Sequence, residues 1–185
     1  MNVFIPISKN KLNTMLYATL ALTGLSAALM GLNVAPRVFP LLPPALVNFI
    51  AMIVMVLSGV GSFVIFSKLQ DKSAGLRIDA TGVIDASSGV SLGRIPWQDV
   101  ESIEEFSAAG QSFVVLKLHD PEQYLIKYSG LKRKIHEANL NLCGSPAAIS
   151  AGTLQADYED VLNLLQQGFQ HYRENSNQES QAVVA

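Results

Sequence analysis

The chain has 185 residues, of which 49% are hydrophobic and 15% are charged, and its formal net charge is −2. The charge is unevenly divided, because residues 1–75 hold five basic residues and one acidic residue, whereas residues 76–185 hold eight basic and fourteen acidic residues. Phosphates would repel so acidic a C-terminal part, which argues against nucleic acid as a partner. Cys143 is the only cysteine, which excludes an internal disulfide and a cysteine-based metal site.

Two long apolar runs without charged residues fill most of the first third of the chain. The first covers residues 12–32 and the second covers residues 45–66. Each reaches the roughly 20 residues that a helix needs to cross a hydrocarbon core about 30 Å thick. Because the first run is longer than the hydrophobic part of a signal peptide and the second follows directly, we expect membrane spans and no cleaved leader. Residues 1–75 are therefore predicted to be an N-terminal flank and a transmembrane hairpin, integral in the lipid bilayer.

Basic residues flank the outer ends of the two apolar runs. Lys9 and Lys11 precede the first run and two further lysines follow the second, whereas the connection over residues 33–44 carries only Arg37. Lysine and arginine near the ends of spans favour the cytoplasmic side. We therefore expect a multi-pass protein of the cytoplasmic (inner) membrane with both termini in the cytoplasm.

Neither run contains Asp, Glu, Lys, Arg or His, which argues against an ion or proton pathway within this chain. Both runs contain small side chains, which let helices approach closely in lipid. These are Gly24, Ala27, Ala28 and Gly31 in the first run and Ser58, Gly59, Gly61 and Ser62 in the second. Two interpretations stay open: the small residues form the contact between the two spans of one hairpin, or one of these faces forms a homodimer.

The rest of the chain is predicted to be one small domain over residues 76–173 and a disordered tail over residues 174–185, rich in Asn, Gln and Ser. The domain begins with short runs of alternating apolar and polar side chains separated by turn residues, the pattern of strands. Strands are predicted over residues 76–79, 83–84, 90–95, 113–118, 124–128 and 147–150. The strands 113–118 and 124–128 are expected to pair as an antiparallel hairpin. Residues 100–106 fit either a helical turn or a bent strand.

Two helices are predicted in the second half of the domain. The first is amphipathic and ends at Gly144, and its apolar side chains recur on one face: Leu131, Ile135, Ala138 and Leu142. The second begins near Asp157, a favourable N-cap, and closes the domain. Strands followed by helices predict an α+β fold with a curved antiparallel sheet and helices packed at one end.

Three stretches carry a likeness to a known family. They are the strand–turn–strand run LRIDATGVI at residues 76–84, the run IPWQDV at residues 95–100 followed by Ile103, and the terminal helix of residues 157–172. Together with the two spans, they resemble a largely uncharacterised family of small bacterial membrane proteins that have two N-terminal transmembrane helices and a bacterial pleckstrin-homology-like domain. The resemblance implies an α+β fold in which a C-terminal helix caps a curved antiparallel sheet. It implies no catalytic residue.

One patch of charged residues is a candidate for binding. It consists of the basic residues Lys127, Lys132, Arg133 and Lys134, and we call it the basic patch. In a domain tethered to the cytoplasmic leaflet, each basic residue near the surface contributes about 1 kcal/mol of attraction to anionic lipid. The alternative is a solvated helix face whose charge is partly offset by Glu137.

The other polar residues do not predict a catalytic or metal site. His119, His136 and His171 are far apart and lack the spacing of metal-binding motifs, and no nucleophile motif such as Gly-x-Ser-x-Gly occurs. Trp97 fits a core anchor or a ligand-stacking residue. We expect no catalytic residue, no metal and no cofactor, so the protein is predicted not to be an enzyme.

These observations predict a membrane-anchored, non-enzymatic interaction module. The hairpin would hold a pleckstrin-homology-like domain at the inner face of the membrane, where it binds a protein partner or anionic lipid head groups. The alternative is an accessory subunit of a larger membrane enzyme or transporter complex, in which the spans pack against the larger partner.

Overall fold

The chain folds into two compact units. The computed structural model describes residues 2–32, 35–71, 73–88, 90–108 and 110–184. Residues 33 and 34 of the predicted connection and Ala185 of the predicted tail lie outside these ranges. One unit contains residues 9–72, and the other combines residues 1–8 with residues 73–185. We call the first unit the hairpin and the second the sheet domain.

In its described residues, the hairpin contains the three helices α1 (Lys9–Gly31), α2 (Ala35–Val38) and α3 (Pro44–Gln70). By length and composition, α1 and α3 are each long and apolar enough to cross a membrane. Only 6% and 17% of their most apolar stretches are buried, whereas a core helix of a soluble protein would be mostly buried. Pro44 occupies the first turn of α3, where its missing N–H leaves no hydrogen bond unmade. The two predicted apolar runs are therefore present as two long, largely exposed helices.

Hydroxyl groups join α1 to α3. The Thr23 and Ser58 hydroxyl oxygens lie 2.8 Å apart, and the Ser62 hydroxyl donates to Thr19 Oγ1 at 2.8 Å. Interhelical hydrogen bonds of this kind contribute about 0.6–2 kcal/mol each in lipid. Ser58 and Ser62 thus form the contact within the hairpin, one of the two roles that the sequence left open for the small residues.

Three of the glycines in the same helices do not serve that contact. A Cβ atom added at Gly24, Gly31 or Gly59 would meet no other atom within 4 Å. These positions therefore face away from the helix pair, and a homodimer through them stays a prediction.

The described residues of the sheet domain form two antiparallel sheets, one of four strands in the order β1–β2–β3–β4 and one of three in the order β5–β6–β7. The strands are β1 (Val3–Pro6), β2 (Gly75–Asp79), β3 (Gly82–Asp85), β4 (Gly93–Pro96), β5 (Val100–Ala108), β6 (Gln111–Leu118) and β7 (Ala147–Ser150). In β1 and β2, Val3 faces Ile78 and Pro6 faces Gly75. Because β1 precedes α1 and β2 follows α3, the hairpin is inserted between two neighbouring strands of one sheet.

The described part of the sheet domain also contains three α-helices, which are α4 (Pro121–Leu125), α5 (Gly130–Cys143) and α6 (Tyr158–Val184), and two short 3-10 helices, Trp97–Asp99 and Ala151–Thr153. Helix α6 contacts β2 and β6. Trp97, which is fully buried, donates its Nε1–H to the Asp79 carbonyl at 2.9 Å, and its ring lies 5.8 Å from the Phe169 ring. Trp97 therefore anchors α6 to the four-stranded sheet, which is the core role among the two roles that the sequence left open. The chain has the predicted α+β class: two long apolar helices, antiparallel sheets and a C-terminal helix.

The segment DATG, residues 79–82, forms the turn between β2 and β3. Asp79 Oδ1 accepts hydrogen bonds from the Thr81 N–H at 2.9 Å and the Gly82 N–H at 3.0 Å. Such a side-chain-capped turn reverses the chain without exposing backbone donors. Gly82 is also required sterically, because a Cβ there would collide with the Ile95 carbonyl of β4.

The predicted strand over residues 124–128 is wrong. Pro121–Leu125 forms α4 instead, because Asp120 accepts a hydrogen bond from the Gln123 N–H at 3.2 Å and Pro121 suits the first helical turn. Strand β6 consequently pairs with β5 and β7 rather than with a returning hairpin partner. The ambiguous segment is a strand, β5, with an irregularity between Val100 and Ser102.

The two ends of the chain also differ from expectation. The N-terminal flank, predicted as part of the hairpin, supplies β1 to the sheet domain. Residues 174–184, predicted to be disordered, continue α6 as far as Val184. No proline or glycine follows Gly168, so the tail contains no strong helix breaker that would end α6 at Tyr172.

Candidate interaction surface

The structure brings the four residues of the basic patch to one end of α5. Lys132, Arg133 and Lys134 lie within the first five residues of α5, and Lys127 lies two residues after the end of α4. All four side chains are exposed. Helix α5 ends at Gly144, whose left-handed φ of 73° lets its N–H close the helix on the Leu140 carbonyl at 2.9 Å.

Two of the four cations have partners within the domain. Arg133 Nε donates to Glu137 Oε1 at 2.7 Å, and this hydrogen bond and ion pair raise the pKa of Arg133. The Lys127 ammonium lies 4.4 Å from the centroid of the Tyr124 ring, which attracts it without neutralising it. In the part of the chain that the structure describes, Lys132 and Lys134 form no ion pair. Three lysines of the patch thus keep an uncompensated charge.

The apolar face predicted for α5 does not pack on the domain. Leu131 is 74% exposed and Leu142 is 64% exposed, Ala138 is exposed, and only Ile135 is half-buried. These four positions, which we call the apolar stripe, share one side of the helix because they are spaced at i, i+4, i+7 and i+11. Helix α5 therefore presents an apolar stripe to its surroundings beside the basic patch.

The buried side of α5 is centred on a histidine. His136 is 1% exposed, and its ring centroid lies 4.9 Å from that of Tyr128. Within the described residues, neither ring nitrogen makes a hydrogen bond of good geometry. Burial lowers the pKa of His136, the Pro146 backbone opposes this shift only in part, and the nearby charge of Lys132 adds to it. The ring is therefore neutral at pH 7 and packs as an apolar group, which holds the apolar stripe on the opposite side.

The C-terminal end of α5 is fixed to the three-stranded sheet. Lys117 of β6 donates from Nζ to the Cys143 carbonyl at 2.8 Å, where a cation also complements the helix dipole. Ser145, fully buried, donates to the Leu116 carbonyl at 2.5 Å. The direction of α5, and with it the placement of the patch and the stripe, is thus set by contacts with β6.

The remaining acidic and phenolic groups that come together have structural partners. The Tyr124 hydroxyl donates to Asp99 Oδ2 at 2.5 Å, which joins α4 to the turn before β5. Burial and this carboxylate raise the pKa of Tyr124. Among the described residues, no three His, Cys, Asp or Glu side chains lie where they could hold a metal ion. The expected absence of a catalytic residue, metal or cofactor stays a prediction.

Sequence reasoning found the basic patch but missed the apolar stripe beside it as part of a surface. Helical spacing shows that apolar residues share a face, but not whether that face is covered. The sequence does not show which side of α5 is buried, because the residue at the centre of the buried side is the polar residue His136.

Comparison with protein-family models, with curated proteins and with solved structures gives no match to this chain. The interpretation of the surface on α5 therefore depends on its geometry and chemistry.

Proposed function

We propose that this protein is a membrane-anchored, non-enzymatic interaction module. Helices α1 and α3 hold the chain in the cytoplasmic membrane of a bacterium. The sheet domain, which includes the N-terminal strand β1 and the C-terminal helix α6, lies at the inner face of that membrane. The observation that carries the proposal is the pairing of β1 with β2 across the inserted hairpin.

That pairing constrains the topology. Strand β1 precedes the hairpin and β2 follows it, and their residues pair from Val3 with Ile78 to Pro6 with Gly75. Two hydrogen-bonded strands are about 5 Å apart, which supports the placement of both on one side of the bilayer. An even number of spans meets this requirement, and the flanking lysines favour the cytoplasmic side.

The architecture of the sheet domain supports the pleckstrin-like resemblance. It has antiparallel sheets of four and three strands, and a terminal helix packs on one strand of each sheet. Helices α4 and α5 lie between β6 and β7 and add to the simplest form of that plan. The surface that they carry, the basic patch with the apolar stripe, is the candidate binding surface of the module.

A second candidate function, an accessory subunit of a larger membrane complex, is favoured by the hairpin itself. An apolar cavity of about 490 Å³ lies between α1 and α3, with Leu29, Phe39, Ile50 and Val54 among its lining residues. A helix of a larger membrane protein could fill this cavity and cover the open faces at Gly24 and Gly31.

Native gels of membrane extracts separate the two functions. If the sheet domain is the interaction module, a chain cut after Ser73 loses the complex that the full chain forms. If the hairpin is the binding element, the cut chain keeps its complex. A reporter fused after Ala185 should act in the cytoplasm, and a periplasmic readout would contradict the proposed placement of the domain.

A further inference from the structure

We propose that the outer side of α5 docks on the anionic surface of the bilayer that anchors the chain. The apolar stripe enters the interfacial layer, and Lys127, Lys132 and Lys134 lie against lipid phosphates. This inference deepens the proposed function and depends on it, because it requires the sheet domain to lie beside the bilayer.

The exposed apolar area of α5 favours docking on the bilayer. Leu131 and Leu142 are 74% and 64% exposed, and Ile126, just before Lys127, is 75% exposed. Single exposed apolar residues are ordinary, but a row on one helix side marks a surface that another phase or molecule covers. The stripe from Leu131 to Leu142 is about 16 Å long, because a helix rises about 1.5 Å per residue. That length suits a helix lying in the plane of the interface.

The position of the positive charge also favours docking on an anionic bilayer. Residues 127–134 hold four of the eight basic residues found from residue 76 onward and no acidic residue. The rest of the domain is strongly acidic, so an anionic bilayer attracts this end and repels the remainder. Glu137 and Glu122 act on Arg133, which leaves the three lysines to carry the attraction.

The cations at the N-terminal end of α5 also favour docking, because they lie at the positive end of the helix dipole. The first turn of α5 contains no acidic residue, and cations occupy its N-terminal end, where the helix dipole is already positive. Cations there are unfavourable for the isolated helix, because the dipole favours anions at its N-terminus. Lipid phosphates beside the first turn would attract both the positive end of the helix dipole and the lysines. The bilayer would therefore compensate the repulsion between the dipole and the lysines that is present in the domain alone.

The same surface fits a protein partner or a second copy of the chain less well. Lysine is depleted in protein–protein interfaces, where the central residues are mostly aromatic or aliphatic. The bilayer, in contrast, is always next to a domain that is joined to two spans by short connections, so its effective concentration is high. A surface with a low affinity for lipid is therefore sufficient for docking.

The experiment uses the full chain in lipid nanodiscs with Cys143→Ser as background. A fluorophore sensitive to its surroundings is attached at Leu131→Cys and, as a matched exposed control in β6, at Gln111→Cys. Each protein is placed in phosphatidylcholine alone and in phosphatidylcholine with phosphatidylglycerol. Quenching is measured with nitroxide-bearing lipids and with aqueous iodide.

We expect the label at position 131, in discs with phosphatidylglycerol, to be quenched by lipid nitroxides and shielded from iodide, unlike the label at position 111. Each of Lys127→Gln, Lys132→Gln and Lys134→Gln should lower the ratio of docked to undocked domain about fivefold. Arg173→Gln, which removes a basic residue of α6 outside the patch, should leave the ratio unchanged.

Equal iodide quenching at positions 131 and 111 in both lipids would overturn the docking proposal while leaving the anchor intact. Shielding from iodide without nitroxide quenching would also overturn it, since a second copy would then cover the stripe. A chain that does not assemble with the discs at all would contradict the proposed function instead. Unfolding of the lysine variants, followed by Trp97 fluorescence, shows whether each retains the fold.

Discussion

At the residue scale, single polar side chains decide local structure by satisfying backbone donors. Asp79 is the clearest case, because one carboxylate caps the β2–β3 turn through Thr81 and Gly82 and forms an ion pair with Arg94 at 3.3 Å. The hydroxyl of Thr81 is the largest cause that lowers the pKa of Asp79, and the backbone N–H groups and Arg94 lower it further.

Replacement of this carboxylate should therefore weaken the domain. Because the pKa of Asp79 is lower in the folded chain than the 3.8 of the unfolded chain, its stabilisation is present above about pH 4. That stabilisation is lost as the pH falls through the folded value. We expect Asp79→Asn to lower the free energy of unfolding at pH 7 by about 1–2 kcal/mol and to flatten its acid dependence. Denaturant unfolding at several pH values measures both effects, and an equal loss in exposed Glu101→Gln would contradict this account.

His136 gives a prediction in a different pH range. Its pKa is lowered from 6.5 by burial, so the unfolded chain binds a proton first as the pH falls. The free energy of unfolding should therefore decrease as the pH falls below about 6.5 and stop decreasing below the folded value. We expect His136→Leu to remove this dependence, whereas His119→Gln, at an exposed position, should keep it. If the dependence persists in His136→Leu, the ring is not the group responsible.

At the element scale, packing between a helix and the sheet controls the domain. Helix α6 lies close to the four-stranded sheet at Gly168, where a Cβ would lie 2.8 Å from Trp97 Cζ2 and 2.9 Å from Ile78 Cγ2. Both neighbours are fully buried, so neither can move without opening the core.

Gly168→Ala should consequently destabilise the domain, although alanine favours a helix by about 1 kcal/mol. Overpacking of a tight core costs about 1–3 kcal/mol, so the expected change is a net loss of that order. Gln167→Ala, at an exposed neighbouring position, exchanges one good helix former for another without the collision and should not destabilise the domain. Thermal unfolding of the two variants in parallel decides the point, and equal stability would contradict the close contact.

The elements also show what local sequence could predict. Alternation predicted the strand at 76–79, and helical spacing predicted α5, because both patterns follow from the geometry of a single element. The helix at Pro121–Leu125 was missed, since apolar alternation in Tyr124–Tyr128 outweighed the capping signal of Asp120 and Pro121. The exposed apolar stripe could not be predicted, because burial of either side of α5 depends on contacts from β6 and Tyr128.

At the scale of the whole molecule, the main result is that a candidate membrane hairpin is inserted into a sheet. The two spans could be predicted from their apolar runs and flanking charges. Strand β1 could not, because a run of four residues is too short to show the alternation of a strand and its partner strand lies beyond the hairpin. The close fit of β1 is visible at Gly75, where a Cβ would collide with the Ile5 carbonyl. The insertion places the hairpin between two strands that pair with each other in the sheet domain.

The pairing of β1 with β2 in the membrane is the most direct test of this account. Phe4 and Arg77 are register partners, so a chain with Phe4→Cys, Arg77→Cys and Cys143→Ser brings two thiols together. A protease site in the connection around Arg37 then shows whether the two halves remain joined after oxidation in native membranes. If β1 pairs with β2, the halves remain joined until a reductant is added, with Phe4→Cys and Gln111→Cys as the unpaired control. Labelling of the introduced thiols at positions 4 and 77 from opposite sides of the membrane by an impermeant reagent, without a disulfide, would contradict it.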